Sequence, residues 1–269
     1  MLKFNPNLRF LFTELPMIER YAESARCGFK GVEVAFPYEF PAAQIAKILA
    51  DNDLKFVQIL SPVNWEIGER GIACLPGREA DFRESMRIAV DYSAQVGRPN
   101  VHVLAGLIPQ GVTRERCHAI FLENLAWAAD LAKTERLTVI IEPVSRHYVE
   151  GFLYTRLDEG IAIIKAIGRD NVKLCYDTYH VQVEEGSLTE RLEAAYPYIG
   201  HMQIGNAPGR NEPGVGEIHF PYIFEQIERL GWDGWIGCEY LPARDSWSSL
   251  ETWGAPFGYG AKAPALSAQ

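Results

Sequence analysis

The feature that most constrains this chain is a rhythm. Eight short apolar runs, at residues 8–12, 31–34, 54–59, 100–104, 137–142, 172–177, 199–204 and 235–239, are separated by stretches whose apolar residues recur every three to four positions. Runs of that length read as strands buried on both faces, and parallel strands need helical crossovers between them. The helical stripe is clearest where Cys117, Ile120, Phe121, Asn124, Leu125, Ala128, Leu131 and Ala132 fall on one face. Punctuation agrees with this reading: Pro41 and Pro221 stand where first helical turns begin, and Gly28, Gly97, Gly168 and Gly231 stand just past helix ends. Eight βα units in 269 residues predict a single (β/α)8 barrel, the TIM-barrel architecture, over residues 1–253, with a loose tail at 254–269. A doubly wound open sheet is the alternative. It would normally carry a glycine-rich phosphate turn after its first strand, and Thr13-Glu14-Leu15-Pro16 is not one.

Charge and composition narrow the partners. A formal net charge of −9 disfavours a nucleic-acid backbone, which needs a basic face to displace counterions. Five cysteines, an odd number without paired spacing, read as free thiols in a reducing compartment. No run of eighteen apolar residues suggests a membrane span, and the start Met-Leu-Lys-Phe-Asn-Pro lacks the apolar stretch of a signal peptide, so a cytoplasmic protein is expected. Exposed apolar helix faces hint at a homo-oligomer.

Four strands in the second half end in an oxygen ligand: Glu142, Asp177, Gln203 and Glu239. Each interval is about one βα unit, so the four side chains should converge above strands five to eight, at the end of the barrel where active sites lie. Carboxylates crowded together repel one another unless a cation neutralises them, so the convergence itself argues for a metal. The set is hard oxygen, without thiolate or a histidine pair, which favours magnesium or manganese over zinc. Taken singly, a strand-end glutamate is more often solvated or paired with an arginine; four in register are another matter.

Glu142 and Glu239, three strands apart, can approach a small molecule from opposite sides. One could remove a proton beside a carbonyl and the other return it, while a Lewis-acidic cation steadies the enediolate. His180, three residues past Asp177, could hydrogen-bond a substrate oxygen, or merely orient Asp177. Arg210 could clamp a carboxylate or a hydroxyl pair, or pair with Glu212 or Glu217. His102 either lines the pocket or is a core histidine, the core being favoured, His147 reads as a solvated loop residue close enough to reach the site, and Trp232, Trp235 and Trp247 as packing residues. The connection 60–78, with Trp65 and two arginines, is long enough to be a lid or an ordinary surface excursion.

Several of these segments match a known pattern: Phe-Thr-Glu-Leu-Pro (12–16), Leu-Pro-Gly-Arg (75–78), Asp-Thr-Tyr-His (177–180), His-Met-Gln-Ile (201–204), the run from Pro208 to Ile218, and Gly-Trp-Ile-Gly-Cys-Glu-Tyr (234–240). Through them the chain resembles hydroxypyruvate isomerases, within the xylose isomerase-like barrel superfamily, up to about Tyr240. The resemblance implies interconversion of hydroxypyruvate and tartronate semialdehyde, with Glu142 and Glu239 as acid/base pair. It further implies a divalent metal among Glu142, Asp177, Gln203 and Glu239, and substrate contacts from His180 and Arg210. The 2-oxo-tetronate isomerases look much the same in these motifs. Ketose 3-epimerases usually carry histidine where Gln203 stands and a further glutamate where Tyr148 stands. The ending from Ser246 onward, with Trp247, Trp253 and Phe257, departs from the family pattern. Two other readings compete: a zinc-cluster endonuclease of the same superfamily, opposed by six unclustered histidines and the acidic charge, and a noncatalytic sugar-binding barrel, opposed by the joint presence of Glu142 and Glu239.

Overall fold

The computed structural model describes residues 1–260. Strands and helices alternate along the chain as β1 (Lys3–Pro6), α1 (Met17–Arg26), β2 (Gly31–Glu33), α2 (Ala42–Asp51), β3 (Lys55–Leu60), α3 (Glu79–Gln95), β4 (Asn100–His102), α4 (Arg114–Thr134), β5 (Val139–Ile141), α5 (Leu157–Ile167) and β6 (Val172–Asp177). The second part continues with α6 (Thr178–Glu184), α7 (Leu188–Ala195), β7 (Ile199–Ile204), α8 (Phe220–Arg229), β8 (Trp235–Cys238) and α9 (Ser246–Trp253). All eight strands are parallel, β1 pairs with β8, and the order around the sheet is β1-β8-β7-β6-β5-β4-β3-β2. A bridge between Asn7 and Glu33 joins the two ends, so the sheet is a nearly closed barrel with the helices outside it.

The expected first strand is corrected by the structure. Residues 8–12 do not form a strand: the backbone N–H groups of Phe10 and Leu11 both donate to the carbonyl of Asn7, which curls the chain, and Phe12 has φ +58°. Leu8, Leu11 and Phe12 are fully buried all the same, because this turn lies under other structure. Apolarity there reports burial and not extension. The true strand, Lys-Phe-Asn-Pro, is disguised by polar residues, since Asn5 points to a buried carboxylate. The proline ends the strand, where its missing N–H costs nothing.

Of the remaining seven strands, six fall within the expected runs, and β3 is shifted by one residue, ending at Leu60. Pro41 caps α2 and Pro221 lies in the first turn of α8, while Gly28, Gly97, Gly168 and Gly231 all have positive φ just past helix ends. All five cysteines are free and buried. Trp247 packs on Phe12, Trp232 on Tyr196, and Trp235 lies under Lys3. No helix among the described residues is long and apolar enough to cross a membrane. Within the expected tail, Phe257 and Tyr259 pack edge-on against Phe4, and the Tyr259 hydroxyl accepts from the Phe4 backbone N–H. The rest of that tail, 261–269, lies outside the described residues.

Candidate active site

At the C-terminal ends of the strands lies a cavity of about 90 Å³, lined among others by Asn7, His102, Glu142, Tyr148, His180, Arg210 and Glu239. Strand geometry brings part of this set together: Asn7, His102, Glu142 and Glu239 sit at or just beyond strand ends, where alternate residues point into the barrel, while Tyr148, His180 and Arg210 come from the segments that follow β5, β6 and β7. Glu142 follows β5, Asp177 ends β6, Gln203 lies near the end of β7 and Glu239 follows β8. Asp177 doubles as the N-cap of α6, its Oδ1 accepting from the Tyr179 N–H at 2.8 Å.

Arg210 is the cation of the site. It is 3% exposed, and its Nη2 lies 2.6 Å from Glu239 Oε1 and 3.1 Å from Asp177 Oδ2, while its Nε donates to the Glu239 carbonyl. The guanidinium is enclosed by the rings of Phe10, Tyr148 and Tyr179 at 5.1, 4.5 and 5.1 Å. Its partners are thus two of the strand-end carboxylates, and not Glu212 or Glu217; Glu212 accepts from the Ala243 N–H instead.

Burial dominates the protonation of the acids. It raises Glu142 well above the carboxylate range, with Glu239 and Asp177 adding repulsion, and it raises Glu239 to about 7 against the pull of Arg210. Asp177 is also raised, because burial outweighs Arg210. His102, buried at the cavity wall, is pushed down to about 3, by burial first and then by His201. Its Nε2 lies 3.6 Å from Glu142 Oε2, and the opposite shifts of the two groups, His102 down and Glu142 up, both disfavour an ion pair between them. Burial, then Arg210, also holds His180 well below the usual histidine range. The Ser145 backbone N–H points at His180 Nδ1 from 3.3 Å, so the ring proton of the neutral imidazole belongs on Nε2. His147 is exposed.

Sequence reasoning missed the residue on which the floor of the site is organised. Glu33, at the end of β2, is 1% exposed and receives four partners: Asn5 Nδ2 at 3.0 Å, Asn7 Nδ2 at 3.0 Å, Gln203 Nε2 at 2.7 Å, and the His201 ring at 2.8 Å. Burial alone would raise this carboxyl, but His201, Asn5 and Gln203 outweigh it and hold it below its ordinary value. Gly237 makes room for it, since a Cβ there would stand 2.6 Å from Glu33 Oε2. The available signal was a lone glutamate inside an apolar run, together with His201 and Gln203 two apart on one face of β7. The Gln203 amide nitrogen is shared between Glu33 and Glu239, and its Oε1 accepts from the Cys175 thiol at 3.1 Å.

The donor set suits a hard cation. Glu142 Oε1 is buried with no hydrogen-bond partner, and Glu142, Asp177 and His180 offer ligand atoms within 4.8 Å of one another, the one such cluster among the described residues. Cys175 and Cys238 are poor competitors, because burial pushes both thiols well up. Segment 60–78 reaches the cavity through Trp65 and Arg70.

Comparison with known proteins identifies the family. A 2-oxo-tetronate isomerase of Cupriavidus necator is 45% identical over 90% of this chain and 94% of its own. A hydroxypyruvate isomerase of Escherichia coli is 39% identical over 96% of this chain and 100% of its own. The crystal structure of an AP endonuclease, family 2, from Brucella melitensis superposes with a TM-score of 0.92 at 37% identity, covering 96% of this chain and 99% of that one. With the family model for xylose isomerase-like TIM barrels matching residues 21–256 as well, the chain belongs to that family, among the hydroxypyruvate and 2-oxo-tetronate isomerases.

Proposed function

We propose that this protein isomerises a small 2-oxo-3-hydroxy acid, interconverting hydroxypyruvate and tartronate semialdehyde through an enediolate. One observation carries the reading: two buried glutamates, Glu142 and Glu239, line the same cavity with their carboxyls lifted toward neutral pH. A carboxyl near neutrality both takes and returns protons at working pH. One glutamate removes the proton from C3 and the other delivers a proton to C2, while the hydroxyl proton passes from the C3 oxygen to the C2 oxygen. Nothing is oxidised overall. His180, with its proton on Nε2, donates to a substrate oxygen, and Arg210 holds the partly charged oxygens.

Glu142, Asp177 and Glu239, with Gln203 beside them, would hold magnesium or manganese, and the orphaned Glu142 Oε1 supports that assignment. When bound, the cation would supply Lewis-acid stabilisation of the negative charge that develops on the substrate oxygens. The relative at 45% identity favours a second substrate, a four-carbon 2-oxo-tetronate, which presents the same carboxylate and hydroxy-carbonyl unit.

Proton NMR of the metal-loaded protein in deuterium oxide tests the reading, with hydroxypyruvate, 2-oxo-tetronate and fructose in separate tubes. Conversion of an acid with solvent deuterium appearing at carbon, lost in Glu142→Gln and Glu239→Gln, is the expected result. Epimerisation of fructose with neither acid consumed would assign the protein to the sugar epimerases.

A further inference from the structure

The floor of the cavity is strongly acidic, and its buried arginine is already engaged. Glu33, Glu142, Asp177 and Glu239 all face it or lie just beneath, and Arg210 is divided between Asp177 and Glu239. An anionic substrate entering a chain of net charge −9 is therefore favoured by further positive charge at the cavity wall, beyond Arg210 and a bound cation. Two arginines stand at the cavity wall away from that floor. Arg70, half-buried, lies 3.9 Å above the Trp65 ring, and Arg9, exposed, lies 5.5 Å from the same ring and 5.7 Å from Phe36. Both line the cavity, and neither forms an ion pair among the described residues; Arg70 donates only to the backbone carbonyl of Glu69. Stacking on an indole fixes the plane of a guanidinium while leaving its edge free for a carboxylate.

We propose that Arg9 and Arg70, aligned by Trp65, are the residues that select acids over neutral sugars by binding the substrate carboxylate. The inference rests on the isomerase reading for its choice of substrate, but not for its geometry. It also gives the connection 60–78 a role, since Arg70 and Trp65 both belong to it, and closing the carboxylate between Arg70 and Arg9 seats that segment over the cavity.

Two measurements test it on the full chain loaded with magnesium. The first is the ratio of kcat/KM for hydroxypyruvate to that for dihydroxyacetone, which replaces the carboxylate with a hydroxymethyl group. The second is the Kd, by calorimetry, for D-glycerate, an acid with no carbonyl to isomerise. Arg9→Gln and Arg70→Gln should each lower the ratio and weaken D-glycerate by about fivefold, and the double variant by about twentyfold. Arg70→Lys, which keeps the charge but loses the stacked planar fork, should fall between the original and Arg70→Gln. An unmoved ratio and Kd in the double variant, or a loss in Arg70→Lys as large as in Arg70→Gln, overturns the proposal. If the original protein turns over neither hydroxypyruvate nor 2-oxo-tetronate, the isomerase reading falls, and the D-glycerate affinities alone then decide the carboxylate site.

Discussion

Arg210 places one nitrogen 2.6 Å from Glu239 and 3.1 Å from Asp177, so a single buried guanidinium bridges two carboxylates that would otherwise repel. Breaking a buried pair costs more than the pair contributes, because a charge is left without its partner. Arg210→Met should therefore destabilise the metal-free protein by about 2–4 kcal/mol in urea denaturation at pH 8. The loss should shrink at pH 6, where the orphaned carboxyls can take protons instead. An equal loss at both values would mean that the aromatic cage around Arg210, and not its charge, accounts for the effect.

Glu33 makes a different prediction. It accepts from Asn5, Asn7 and Gln203 and faces His201, and Gln203 in turn donates to Glu239, so Glu33 acts on the site through Gln203 and is a positioning residue. In Glu33→Gln an amide nitrogen must face donors that have lost their acceptor. Stability should fall by about 2–4 kcal/mol, and kcat should fall more than KM changes, since Glu239 is displaced and the substrate contacts are not. A KM effect with kcat intact would place Glu33 in substrate binding.

Much of this arrangement was legible in the chain, for reasons that can be named. Glu142, Asp177 and Glu239 each end an apolar run and Gln203 lies one residue before the end of its own, and in a parallel barrel the run end fixes both the face and the height of the side chain. Arg210 was recognisable as a candidate cation for the site, but its partners were not, because they depend on how the loop after β7 folds back over Glu239. Glu33 was hidden because hydropathy averages over a run and discounts one charge within it. The first strand was misplaced by the same averaging, which favoured the buried turn at Leu8, Leu11 and Phe12 over Lys3–Pro6. His102, read as core, is indeed buried, yet its Nε2 faces Glu142, a fact that only side-chain direction reveals.

His180 separates two roles that proximity alone confuses. It lies within ligand distance of Glu142 and Asp177, but the Ser145 N–H at its Nδ1 leaves the proton on Nε2, and a protonated nitrogen does not ligate. His180→Gln should leave manganese affinity, measured by calorimetry, within about threefold, and raise KM about tenfold or more through loss of a buried hydrogen bond to substrate. Asp177→Asn should do the opposite to the metal, weakening it by about tenfold or more. A His180→Gln protein that loses manganese as readily as Asp177→Asn would make the imidazole a ligand.

The acids also predict how stability responds to pH when no cation is bound. Burial, with mutual repulsion, raises Glu142 well above its ordinary value and Glu239 to about 7. A carboxyl raised by folding binds more protons in the folded state, so its contribution is complete below the unfolded value and is lost as pH rises through the folded one. His102 and His180 act in the opposite sense, because both are depressed, and their contribution is gained as pH rises toward 6.5. Glu33 is depressed as well and gives its contribution above its unfolded value of 4.5. Between pH 6.5 and 8, below the range where thiols titrate, the raised carboxyls alone remain. The protein in chelator should therefore lose stability across that window, by at most about 1.4 kcal/mol per pH unit for each proton involved. Manganese should flatten the slope by neutralising the carboxylates, and so should Glu142→Gln combined with Glu239→Gln by removing them. Stability that stays level or rises from pH 6.5 to 8 in chelator would mean that both glutamates are ionised in the folded protein, and would remove the basis for assigning them the proton transfers.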